Sequence, residues 1–359
     1  MDTAPLPDPV AASFRRQEKA CNQLGSPFTA ILCGLIADEG VPAGQVQDRL
    51  AGWPGGLDGA ARDALALRLT GALHYLVLAG RDDALAAVYP PRHAGETAVA
   101  KAVRDAITRH GDFIDRFLDS PPQTNETGRS AILLPAFLHL HDRFGLPLVL
   151  SELGSSAGLN QNWHRYRYDY GSWRWGDNGS AVTIACEWRG GDPPTPLPMK
   201  ITETEGCDIA PVPIGTEDDR FRLQSYVWPD QPARLGRLAG ALAIAADHPP
   251  SIAKAGAADW LAVRLGQRRP GHLHAVFHTI MWQYIPPDEQ ARARALIEDA
   301  GRRAGADAPF AWLRFEADDT KGSAGITLTT WDRSEPDGET VALGRGDYHG
   351  RWIDWRPAA

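Results

Sequence analysis

The sequence turns at Leu146. There Leu146-Pro147-Leu148-Val149-Leu150 forms an unbroken apolar run of strand length, the mark of a strand covered on both faces inside a parallel sheet. Such a strand needs parallel neighbours, and these need long crossovers, usually helices. The downstream chain supplies them. Ile201 to Ile209, Ser251 to Ala255, Leu273 to Ile280 and Phe310 to Phe315 read as strands, and helical spacing covers Pro232 to Ala246, Asp259 to Leu265 and Asp288 to Ala304. Ile326 to Trp331 and Thr340 to Leu343 follow without a helix and are expected to be antiparallel.

Upstream of the turn the texture is helical. Apolar residues recur at helical spacing, as at Leu65, Leu69, Leu73, Leu76 and Val77. Helical stretches over Val10 to Leu24, Pro27 to Asp38, Ala98 to Leu118 and Glu126 to Phe144 are separated by Gly40-Val41-Pro42, Pro90-Pro91 and Pro121-Pro122. A chain of 359 residues has room for two cores. The expected division is an all-helical N-terminal cap domain over 1–145 and an α/β domain over 146–359. Within the latter, Tyr166 to Arg189 alternates aromatic and basic residues around Tyr170-Gly171-Ser172 and reads as an inserted β-ribbon, 166–189.

The formal net charge of −8 argues against a polyanionic partner, so no nucleic acid is expected. The aromatics and arginines of Trp163 to Trp175 suit base stacking, but packing of a ribbon is the plainer reading. Cys21, Cys33, Cys186 and Cys207 lie far apart with no C-x-x-C pair, which points neither to a disulfide framework nor to a zinc knuckle. Met1 to Val10 is acidic and proline-rich, and no later apolar run reaches membrane-spanning length. A cytoplasmic protein with no membrane partner is expected; the oligomeric state is not legible.

In an open α/β sheet the ligand sits beyond the carboxyl ends of the strands, at the loop after the first one. Here that loop is Ser151-Glu152-Leu153-Gly154-Ser155-Ser156-Ala157-Gly158-Leu159-Asn160. Its glycines allow close backbone approach, and the N-terminus of a following helix would offer unpaired N–H groups. Glu152, at the strand end, is placed to orient a ligand ammonium. The same residues spell G-x-S-x-G, a nucleophile elbow in which Ser156 would attack an acyl carbonyl, with Asp259 and His278 or Asp347 and His349 completing a triad. His278, at the end of a later strand, is a candidate general base. His272, His274 and His278 alternate along that strand without the ligand spacing of a metal site, so no metal is expected. Gln123-Thr124-Asn125-Glu126 either caps the next helix or faces the site.

Three later segments carry a resemblance. Gly206-Cys207-Asp208-Ile209-Ala210-Pro211 resembles the second-strand ending of class I S-adenosylmethionine-dependent methyltransferases. Ala257-Ala258-Asp259-Trp260 is similar to their adenine-contacting acid and its neighbour, and Val276 to Pro286 to their fourth strand and substrate-facing loop. The resemblance implies a Rossmann-like, seven-stranded methyltransferase sheet, S-adenosylmethionine as cofactor and a small-molecule substrate. It puts Glu152, Gly154, Ser155, Ser156, Gly158 and Asn160 at the methionyl end, Asp208 on the ribose, Asp259 and Trp260 at the adenine, and His278 as the base. Asn125, Glu126, Gln283 and His349 would meet the substrate. The chain departs from the pattern in having Ser156 where many relatives carry a second glycine. Glu152 and Asp208 also lie 56 positions apart, so the ribbon must be looped out, and Glu187 is a competing ribose acid. The N-P-P-Y type motif used for nucleobase amines is absent from the Val276 to Pro286 segment. Leu153 to Asn160, Gln123 to Glu126, Ser225 to Gln231 and His349 to Trp352 together look like a bacterial family known only as a domain of unknown function. A serine hydrolase acting through Ser156 and a non-catalytic Rossmann-like binding protein remain open beside the methyltransferase.

Overall fold

The computed structural model describes residues 3–92, 94–267, 269–333 and 337–357. They form two compact units. One holds the chain up to Thr124 together with Pro213–Gly236, and the other holds Asn125–Val212 with the chain from Arg237 onward. The change of texture at 145 and 146 thus marks the first sheet strand, while the first unit ends earlier and takes in a later segment.

The first unit is mostly helical rather than all-helical, because Thr3–Ala4 pairs antiparallel with Val41–Pro42. Its helices run over Asp8–Gln23, Pro27–Glu39, Gln45–Ala51, Gly56–Arg62, Leu65–Leu78, Asp83–Ala86, Glu96–Arg109, Gly111–Phe117 and Glu217–Ser225. Leu65–Leu78 buries eleven of its fourteen residues, including Leu65, Leu69, Leu73 and Leu76, so it is enclosed nearly all round. The single helix expected over Ala98 to Leu118 is instead two. The break falls at His110, whose φ and ψ of −116° and 23° leave the helical region and whose Nε2 lies 3.0 Å from Asp82 Oδ2. The later segment joins this unit through specific bonds. Asp230 accepts from the Ser26 hydroxyl and, at 2.8 Å, from the Phe28 N–H, which caps the helix Pro27–Glu39. Tyr226 lies so close to Gly71 that a Cβ there would come within 2.9 Å of its ring.

The second unit is α/β, built on a large, mostly parallel sheet in which nine strands are described. In chain order they are β1 Leu148–Leu153, β2 Glu187–Gly190, β3 Ile201–Asp208, β4 Ile252–Lys254, β5 Leu273–Thr279, β6 Phe310–Ala317, β7 Ala324–Trp331, β8 Glu339–Gly346 and β9 Trp352–Trp355. Across the sheet the order is β2-β9-β8-β7-β6-β5-β1-β3-β4. The five strands β4, β3, β1, β5 and β6 are parallel, with Leu148 opposite Leu273 on one side and Ile201 on the other. β1 is buried at every position, which is why it opens on the apolar run Leu148-Val149-Leu150 without alternation. Later strands are added to one side of β1 and then to the other, so the order reverses there. β7, β8 and β9 form an antiparallel meander, as their helix-free connections require.

Two expectations are corrected. The sheet has nine described strands rather than seven, because β9 and β2 extend the edge beyond β8, with Trp352 in register with Glu187. The insert is not one ribbon: Arg167–Asp169 pairs antiparallel with Arg174–Trp175 but parallel with Thr183–Ala185, giving a separate three-stranded sheet before the chain enters β2.

Alternate residues of β5 face opposite cores. Val276 joins Leu153, Leu261, Ile297 and Trp312 under the helices Ala257–Arg264 and Pro287–Arg302. Phe277, pointing the other way, meets Phe137 of the helix Ser130–Phe144 edge-on at 5.5 Å. Among the described residues no helix is long and apolar enough to cross a membrane.

Candidate functional site

The loop leaving β1 is held in an unusual backbone shape. Gly154, Ser156 and Gly158 all have positive φ, of 67°, 54° and 71°. Glycine takes such angles freely, but serine does so at a cost that must be met by its surroundings. For Ser156 they do so through hydrogen bonds: its N–H donates to Asp208 Oδ2 at 2.8 Å, and its carbonyl accepts from the Val212 N–H at 3.1 Å. Asp208 Oδ1 in turn accepts from the Ala210 N–H at 2.8 Å. The 56 intervening positions therefore bring Asp208 to the loop, at the end of the adjacent strand β3. Glu187 lies on β2 at the far edge of the sheet, exposed and paired with Arg189, and is excluded as the competing acid.

The segment after the loop departs from the expected helix. Leu159–Arg165 is a seven-residue 3₁₀ helix, and its Leu159 N–H is already taken by Asn125 Oδ1 at 2.7 Å. The expected open helix terminus is therefore not formed. Polar side chains tie this turn to its surroundings instead. Gln161 exchanges two bonds with the Ser251 backbone, and Asn162 donates to the His248 carbonyl. Gly206 sits beneath: a Cβ there would stand 2.0 Å from Ser155 Oγ.

Inside this frame Glu152 is 3% exposed and its Oε2 has no hydrogen-bond partner. Burial pushes its carboxyl up to about 8, and nearby Asp208 adds to the effect while Ser155 and Gln161 oppose it. Ser156 Oγ and Asn160 Oδ1 are likewise buried and without a partner. Buried polar atoms are ordinarily paired, so three orphans within nine residues of one loop call for an explanation.

Glu126 and His349 come together beside Asn125. Glu126 Oε1 accepts from the Gly128 N–H at 3.0 Å and lies 3.7 Å from Arg237 Nη2, and its Oε2 is 3.4 Å from His349 Nδ1. Arg237 Nε is buried without a hydrogen-bond partner. Backbone contact brings the two segments together, since a Cβ on Gly128 would fall 2.2 Å from the His349 carbonyl oxygen.

Other predicted residues stand apart. His278 is buried with both ring nitrogens engaged: Nδ1 lies 2.6 Å from Glu316 Oε1, and Nε2 accepts from the Trp312 indole at 3.0 Å. A base needs a free nitrogen, so His278 is corrected from base to a support of the turn after β5, where Glu316 also accepts the Met281 N–H. Asp259 is exposed and paired with Arg292 at 2.7 Å. Trp260, half-buried on the same helix, lies under Arg264, whose guanidinium is 5.9 Å from its ring. Gln283 is exposed. Neither proposed triad is assembled: Asp347 meets the backbone N–H of His349 rather than its ring, and Ser156 Oγ has no histidine. His272 and His274 bond elsewhere, to the Pro270 carbonyl and Ser151 Oγ, and among the described residues no cluster is placed to hold a metal.

Sequence reasoning gave no site role to Gln161, Gly206, Arg237 or Met281. The Met281 side chain packs directly on Gly154, where a Cβ would lie 2.8 Å from its Cε. The glycine thus admits a neighbouring side chain at this point of the loop.

The profile of the family described as "Uncharacterized protein conserved in bacteria (DUF2332)" matches residues 11–355. No curated protein and no solved structure matches the chain.

Proposed function

From the premise that the chain belongs to this DUF2332 family of bacteria, we propose that its second unit binds S-adenosylmethionine at the loop after β1 and catalyses methyl transfer to a small-molecule acceptor. The observation that carries this reading is the set of orphaned acceptors, Glu152 Oε2, Ser156 Oγ and Asn160 Oδ1, at the carboxyl end of the strand where the sheet order reverses. That is where open α/β sheets bind nucleotides in a Rossmann-like arrangement, and acceptors without donors suit an ammonium and hydroxyl groups. The parallel order on both sides of β1 supports the same reading.

In this proposal Glu152 and Asn160 accept from the ligand ammonium, and Asp208 takes a ribose hydroxyl on lone pairs left by its two backbone bonds. When bound, the cofactor supplies an electrophilic methyl group. The chain's part is to hold an acceptor in line and keep water out, which is worth more here than proton transfer. Glu126, Arg237 and His349 form the polar group for the acceptor, taking the place of His278. Met281 narrows the space over Gly154 and sets the depth of the methionyl end.

Calorimetric titration of S-adenosylmethionine and S-adenosylhomocysteine tests this. We expect saturable binding, weakened about tenfold or more in Asp208→Ala and Glu152→Gln through loss of charge-assisted hydrogen bonds. Absence of binding to the intact protein at millimolar ligand overturns it.

A further inference from the structure

A cavity lies in the α/β unit, away from the loop after β1. It has a volume of about 300 Å³ and is bounded by the helix Pro287–Arg302 and one face of β6, β7 and β8. Trp312 and Arg314 share that face because they are two apart on β6; Thr329 lies opposite Trp312 on β7 and opposite Thr340 on β8. Arg294 reaches it from the helix, one turn before Glu298 and two before Arg302.

The charges are arranged unlike those of a packed surface. Arg314 stands with its guanidinium 4.3 Å from the centre of the Trp312 ring, and Arg294 approaches the same ring at 5.3 Å. Two cations therefore share one indole. Arg314 Nη2 donates to Thr329 Oγ1 at 2.7 Å, but its Nε is buried with no partner. Among the described residues neither arginine has a carboxylate within 4.0 Å, although Glu298 and Asp337 border the cavity. Burial, and after it Arg294, bring the Arg314 guanidinium down to about 10. A guanidinium as enclosed as that of Arg314 is ordinarily neutralised by an acid, since a charge withdrawn from water without a partner is costly.

We propose that this cavity binds a small metabolite through an oxyanion, phosphate ester or carboxylate, held between the guanidiniums of Arg294 and Arg314. Guanidinium forks match the oxygen spacing of both groups, and the buried Nε supplies a donor with no other use. The body of the ligand lies against Trp312 and Trp331. Glu298 and Asp337 at the margin accept from its hydroxyl or amino groups, so the preferred ligand carries donors as well as the anion. The volume suits a molecule of a few carbon atoms, at the small end of ligand cavities. This site does not depend on the methyl-transfer reading.

The test is thermal unfolding of the full chain in inorganic phosphate and in malonate, each against sodium chloride of equal ionic strength. A ligand that binds only the folded state raises the midpoint in a saturable way. We expect one or both anions to do so, phosphate marking a phosphate-ester site and malonate a carboxylate site. In Arg294→Gln and in Arg314→Gln the anion concentration needed is expected to rise about tenfold or more. Arg294 is exposed on its helix, so its variant keeps the measurement interpretable if Arg314→Gln does not fold. No effect beyond chloride overturns the proposal, as does stabilisation that Arg294→Gln leaves unchanged.

Discussion

Glu152 is the residue whose chemistry departs most from what its letter suggests. Its carboxyl, raised by burial to about 8 from an ordinary 4.5, keeps its proton in the folded state at neutral pH while the unfolded chain has released it. Folding therefore retains a proton between those two values, and stability falls as pH rises through the window, levelling off above about 8. Glu152→Gln removes the ionisation. In urea titrations it should match the wild type near pH 4.5 and exceed it by roughly 2–5 kcal/mol at about pH 9; parallel pH profiles would refute the buried neutral acid. An ammonium ligand would reverse the balance by favouring the anion, so its binding should expel a proton near neutrality. The sequence shows that an acid ends the strand. It does not show protonation, which depends on Gln161 and on packing around the loop. His278 teaches the same lesson: its place at the end of β5 is legible, whereas Glu316 and Trp312, which occupy both nitrogens, come from the next strand.

At the scale of elements, the alternation of strands and helices places β1, β3, β4, β5 and β6 to within a few residues; burial on both faces leaves little freedom in the composition of β1 and β5, whereas β3 and β4 are only partly covered. The turn after β1 carries less local signal. Leu159-Asn160-Gln161-Asn162 has helical length available, but Gln161 and Asn162 bond to the backbone around Ser251 and His248, and the segment tightens into 3₁₀ form. These partners lie far along the chain and leave no local signal. Gly206 belongs to this element-level fit rather than to catalysis. Gly206→Ala would drive a methyl group toward Ser155 Oγ, the Gln161 amide and the Glu152 carbonyl, all within 2.9 Å. We expect a loss of about 1–3 kcal/mol in chemical denaturation, as for other overpacked sites; a neutral substitution would show that the loop yields easily.

Across the whole molecule, each unit carries a histidine kept neutral by burial. His74 in the first unit is lowered to about 4, and His274 in the second to about 3, with Arg264 and Arg269 adding to the effect there. The unfolded chain takes up these protons near 6.5, so stability is lost as pH falls below that value and continues to fall toward the folded values. Each should cost about 2 kcal/mol between pH 6.5 and 5. Glu152 acts in the opposite sense over this range, so the measurement belongs in Glu152→Gln, where thermal midpoints should drop with acid and His274→Asn should flatten the slope. An unchanged slope would mean that His274 is not held neutral.

The two units also interleave along the chain, and this bears on how the protein is made. A chain leaving the ribosome completes the early helices but lacks Asp230 to cap Pro27–Glu39 until well after β1 has emerged. β2 is synthesised long before β9, the strand that covers its inner side at the sheet edge. Until then its amides and carbonyls stand open to pairing with other chains. Neither unit can close in the order of translation, so the nascent protein must wait, exposed, for segments that arrive late.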